Sequence, residues 1–161
     1  MPSKLFWSAA EDFLTAAQKT KSDDPWGLGH ESRSVTFYLA GHALELVLKA
    51  FLRAKGFSID DLKNKFGHDL EKLLNQAEAQ DLAKFTAVSE THRKLVLLLN
   101  DSYKPKDLEY YVAGQKMWPN FRLLEEFIGN ILTNTKQFCI ENAKYHHGKP
   151  TAFLWPADLS P

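Results

Sequence analysis

The side chains with chemistry to offer gather on one stretch that reads as a helix. Within residues 34–55, SVTFYLAGHALELVLKAFLRAK, His42, Glu45, Lys49 and Arg53 stand three, four and four positions apart. Residues at those spacings are neighbours on a helix surface, so the four form one polar seam, with Glu45 and Lys49 in the favourable acid-before-base order. A histidine there can serve as general acid or base, and Lys49 with Arg53 can hold a phosphate through charge-assisted hydrogen bonds. His68 is the second candidate acid or base. It stands just ahead of an amphipathic segment, where it can also cap that helix or bond a neighbouring element. Tyr110 and Tyr111 complete the set as ligand-binding candidates, in a connection the seam could face across a cleft. The bland alternative for the seam is a solvated edge, whose ion pair contributes only about a few tenths of a kcal/mol.

The remaining reactive types have plainer readings. His30 falls in a loop with no partner in the sequence, and His92 lies on the apolar side of a helical stripe, where a satisfied core histidine is the usual outcome. His146 and His147 are adjacent, so on a helix they point about 100° apart and chelate poorly. No phosphate-loop glycine pattern, paired-histidine zinc helix or nucleophile elbow is present. Neither a metal nor a cofactor is expected. The single cysteine, Cys139, sits in a helical pattern and reads as a buried, inert thiol of a reducing compartment.

Around the seam, residues 34–55 are apolar on nearly every side: Phe37, Leu44, Val47, Leu48, Phe51 and Leu52 cover most of the circumference. That makes a central helix, and the charges within it argue against a membrane span. Gly41 in its middle, flanked by Ala40 and Ala43, implies close approach of a second helix. Leu5, Phe6, Ala9, Phe13, Ala16 and Ala17 mark a first amphipathic helix ending near Lys21. After the central helix, Gly56 supplies a left-handed cap, and Ser58 with Asp61 starts a short helix that Gly67 ends. A helix over 69–80 buries Leu70, Leu73, Leu74 and Ala77. Another over 86–99 carries Val88, His92, Leu95 and Leu99. Residues 101–118 are irregular, with Tyr103, Tyr110, Tyr111 and Trp118 set among lysines. They read as an aromatic flap over the core, the alternative being a platform for single-stranded nucleic acid. Pro119 suits the first position of a long last helix reaching about residue 145.

Length and charge bound the rest. At 161 residues the chain makes one domain with a full core. The division expected is a helical bundle over 1–145 and an extended C-terminal arm over 146–161, whose Phe153, Leu154 and Trp155 are apolar enough to need a docking surface. Lys plus Arg equals Asp plus Glu at 20 each, so no overall field draws the protein to nucleic acid or an anionic membrane. The first residues lack the apolar core of a signal peptide, which fits a cytoplasmic protein. The fold class expected is all-α, a single up-and-down bundle of about five helices.

The stretch SVTFYLAGHALELVLKAFLRAKG, followed after a short helix by GHDLEKLL, resembles the HEPN family of small all-α domains found in toxin–antitoxin and nucleotidyltransferase-linked systems. The order of the later pieces, a helix ending LVLLLNDSY, an aromatic connection and a long final helix, extends the resemblance over about residues 3–144. It implies a bundle of four or five helices, a homodimer, and a nucleotidyltransferase, an antitoxin, RNA or a nucleotide as partner. Many members are similar in being metal-independent ribonucleases with an arginine followed, after four to six intervening residues, by a histidine. Here Arg33, Arg53, Arg93 and Arg122 lack such a histidine, and Glu109-Tyr110 stands where relatives carry an arginine–tyrosine pair. The resemblance therefore implies a non-catalytic module that binds a protein partner, nucleotide or RNA. Its alternative is a toxin-type endoribonuclease with a displaced site, catalysed by His42 and His68 and holding its ligand with Glu45, Lys49, Arg53, Tyr110 and Tyr111.

Overall fold

The computed structural model describes residues 1–21, 30–106 and 117–143. Among these the chain is all-α, without a strand. Tyr110, Tyr111, His146, His147 and the C-terminal arm lie outside the described residues.

The centre is helix α2, His30–Ala54. It begins four residues before the expected start, because nothing after Gly29 breaks a helix; His30 therefore opens a helical turn instead of lying in a loop. Its Ala40, Ala43, Leu44, Val47, Leu48, Ala50, Phe51 and Leu52 are fully buried. On length and composition alone Arg33–Ala54 could cross a bilayer, but here it is the inner helix of a folded domain. Helix α1, Ser3–Thr20, runs antiparallel to it, since Thr36 Oγ1 donates to the Thr20 carbonyl and Arg53 Nε reaches the Met1 carbonyl. Helix α6, Phe121–Glu141, lies antiparallel to α1 through Trp7 Nε1 to Leu132 O and Ser3 Oγ to Cys139 O. It is thus parallel to α2, with Phe37 against Phe121 and Phe51 against Phe138. Asn120 caps α6 by accepting from the Leu123 amide, so Pro119 stands outside the helix rather than at its first position.

The opposite side of α2 is covered by the middle of the chain. Gly56, at φ 105°, ends α2 and lets the Phe57 amide return to the Leu52 carbonyl. Ser58 caps the short α3, Ile59–Asp61, which widens into a π turn over Leu62–Phe66 and stops at Gly67, φ 54°. That three-residue helix brings the described total to six. Asp69 caps α4, Leu70–Ala79, and the four expected inward residues are buried. Helix α5, Glu90–Tyr103, is shifted four residues later than expected at both ends. Ser89 sets its start through a reciprocal capping box with His92, whose ring also stacks on Phe127 at 4.2 Å. At its far end α5 carries Tyr103, which is therefore a helical residue and not part of the irregular connection.

Candidate functional site

The polar seam is no solvated edge. Glu45, Lys49 and Arg53 are only 2%, 9% and 4% exposed, because α1, the π turn and the end of α5 close over the strip. Burying charges is tolerable only when each finds partners, and these do. Lys49 Nζ donates to Glu45 Oε1 at 2.6 Å and to the Gly67 carbonyl at 2.7 Å. The wide turn over Leu62–Phe66 is what presents that carbonyl to α2. Arg53 is spent on chain ends and turns, with Nε on Met1 O and a terminal nitrogen on Phe57 O at 2.8 Å.

Glu45 is the hub. Besides Lys49 it accepts from the Tyr103 hydroxyl at 2.6 Å and meets His68 Nδ1 at 3.0 Å, both at Oε2. Burial alone would raise its pKa, but the Lys49 charge and the hydrogen bonds from Lys49, Tyr103 and His68 outweigh that and hold the carboxyl below its ordinary value. An ionised carboxylate only accepts, so His68 must carry a proton on Nδ1. With the phenol proton of Tyr103 directed at Glu45, the 2.9 Å contact between His42 Nδ1 and the Tyr103 oxygen is likewise a donation from the imidazole. His42, Tyr103, Glu45 and His68 thus form one hydrogen-bonded chain from α2 through α5 to the start of α4. His42 is wedged edge-on against Phe13 at 4.4 Å and parallel to Tyr38.

The structure therefore brings His42, Glu45, Lys49 and His68 together, while Arg53 serves the other end of α2. Capping of α4, one of the two roles open to His68, falls to Asp69 instead. This frees the imidazole to reach Glu45, the second of those roles. Sequence reasoning missed Tyr103 as a member. The available signal was Gly41: a Cβ there would meet Tyr103 Cδ2 at 2.5 Å, so the second helix inferred from that glycine is α5, which approaches through an aromatic ring.

Beside the hub lies an open cleft of about 440 Å³, lined by Phe6, Lys49, Ile59, Leu62, Lys63, Gly67 and His68. The His68 side chain is 47% exposed, and among the described residues Nε2 has no hydrogen-bond partner. A carboxylate on Nδ1 and an open Nε2 make the arrangement that orients a general base. Among the described residues no three His, Cys, Asp or Glu side chains gather as a metal site. Cys139 is buried, its thiol pushed up by that burial to about 11 with Thr135 offsetting only part of the rise, and so is no nucleophile at neutral pH. Compared with family models, curated proteins and solved structures, the chain matches none.

Proposed function

We propose that the protein is a non-catalytic HEPN-like module, an up-and-down helical bundle that pairs with a protein: a second copy of itself, and an antitoxin or nucleotidyltransferase of the kind the resemblance implies. The observation that carries this reading is the internal use of the seam's cations. Lys49 and Arg53 are bonded to Glu45 and to backbone carbonyls, so the pair that would have gripped a phosphodiester is occupied by the fold. Large apolar side chains left in water, Met117 at 77% and Leu5, Val35, Leu123 and Ile140 near half exposure, supply surface for a protein partner. The expected behaviour is a dimer by light scattering at tens of micromolar, with neither retention nor cleavage of a mixed-sequence RNA. A monomer that cleaves RNA would remove the reading.

A second reading is favoured by one observation, the open Nε2 of a histidine whose Nδ1 is fixed by Glu45. It is a metal-independent endoribonuclease in which His68 removes the proton from the attacking 2′-hydroxyl. His68→Ala would then abolish cleavage by the parent protein while Lys104→Ala leaves it intact.

A further inference from the structure

The cleft beside His68 is lined by groups of two kinds, and their chemistry specifies a ligand. Phe6, Ile59 and Leu62 give an apolar wall. Lys63 contributes an ammonium that makes no ion pair or hydrogen bond among the described residues. Lys49 lines the cleft as well, but its ammonium is held by Glu45 Oε1 and Gly67 O. In its neutral form His68, holding its proton on Nδ1 for Glu45, offers an acceptor at Nε2. An anion suits the Lys63 ammonium, a neutral donor suits Nε2, and a branched or aromatic hydrocarbon suits the wall. Clefts of a few hundred Å³ that combine an apolar lining with a few convergent polar groups are the usual form of small-ligand sites.

We infer that this cleft binds a small apolar carboxylic acid carrying a hydroxyl or amide N–H next to its carboxylate, with Lys63 on the carboxylate, His68 Nε2 accepting from the neutral donor, and the hydrocarbon against Phe6, Ile59 and Leu62. This rests on the non-catalytic reading above, in which Nε2 is an acceptor for a ligand and not a base for a reaction. The charge alone does not choose the ligand; the pairing of an unspent cation with a fixed acceptor does. A fully ionised phosphate ester suits the neutral imidazole less well, because its phosphate oxygens only accept and would leave Nε2 opposed by lone pairs.

The test is amide-resolved NMR titration of the whole chain near neutral pH with 2-hydroxy-4-methylpentanoate, 4-methylpentanoate and the methyl ester of the hydroxy acid. Saturable shifts at the Lys63 and His68 amides are expected with the hydroxy acid, and about tenfold weaker binding of each analogue, as loss of one net hydrogen bond or one ion contact predicts. Lys63→Ala, an exposed change outside the core, should weaken both acids about equally and by about fivefold. His68→Phe should erase the preference for the hydroxy acid over 4-methylpentanoate; circular dichroism shows whether that variant is folded. No saturable shift at millimolar concentration, equal binding of acid and ester, or indifference to Lys63→Ala overturns the inference. RNA cleavage in the parallel assay would instead overturn the non-catalytic reading, so the two failures are distinct.

Discussion

Glu45 and Asp69 are both buried carboxylates bonded to a lysine, and the contrast between them separates a core polar hub from a helix cap. Glu45 lies mid-helix, its cation Lys49 is 11% exposed, and its partners come from α2, from His68 ahead of the α4 cap, and from α5. Asp69 sits at the start of α4, accepting from the Lys72 amide and from Asn100 Nδ2, and its cation Lys104 is 56% exposed. Asn100 also accepts from the Leu70 amide at 2.9 Å, so α5 satisfies the first turn of α4 directly. Removing the first acid strands two buried groups, the Lys49 ammonium and the Tyr103 hydroxyl. The second is backed by solvent, by an amide side chain and by the helix N-terminus.

The largest break in that contrast should come from Glu45→Ala. It leaves the Lys49 charge buried with one carbonyl and removes the acceptor for Tyr103 and His68, a loss of about 3–5 kcal/mol by analogy with halved buried ion pairs. Urea denaturation reads it directly, and a loss below about 1 kcal/mol would mean that water reaches the hub freely. Next in size is Gly41→Ala, whose Cβ would lie 2.5 and 2.8 Å from two Tyr103 ring atoms. The ring must move off its seat, at a cost of about 1–3 kcal/mol, and the Tyr103 to Glu45 bond should lengthen with it. Asp69→Ala follows at about 1–2 kcal/mol, the range for losing a side-chain N-cap, since Asn100 still serves the Leu70 amide.

Acid should expose the same ranking. Both carboxyls are held below their ordinary values: burial opposes this in each, and is outweighed for Glu45 chiefly by Lys49 and for Asp69 by the hydrogen bonds of Lys104, the Lys72 amide and Asn100. Between the folded and unfolded pKa the unfolded chain binds more protons, so stability rises with pH there. The contribution is complete above the usual carboxylate range, about pH 4.5, and is lost as pH falls below it. Glu45→Gln should flatten this acid limb more than Asp69→Asn does; the reverse order would place the stronger coupling at the cap.

What was legible in the sequence was whatever periodicity and capping chemistry decide locally. The all-α class, the end of α1, the Gly56 and Gly67 stops, the Ser58 cap and the inward leucines of α4 follow from spacing and turn residues. The seam's membership was legible for the same reason, since three-and-four spacing fixes a face. Its burial was not, because whether a polar strip meets water depends on what folds over it. The π turn that delivers the Gly67 carbonyl, and the extension of α5 to Tyr103, have no local signal of their own. Gly41 signalled that something must press on α2, but a glycine states the space available and not its occupant.

The smallest effect expected is at Lys104, and it bears most directly on the contrast. Its ammonium lies 2.8 Å from Asp69 Oδ2, much the distance Lys49 keeps to Glu45, so geometry alone would rank the two ion pairs as equals. Exposure ranks them differently. An ammonium open to water is nearly as well solvated without its partner, and holding a long side chain in one rotamer offsets most of the attraction. Lys104→Ala should therefore leave the urea midpoint within replicate scatter at ordinary ionic strength. The Asp69 carboxyl should meanwhile drift back towards its ordinary value, because the hydrogen bond from Lys104 is its largest downward influence. A midpoint loss comparable to that of Asp69→Ala would show that the cap depends on its cation, and would make Asp69 a hub like Glu45.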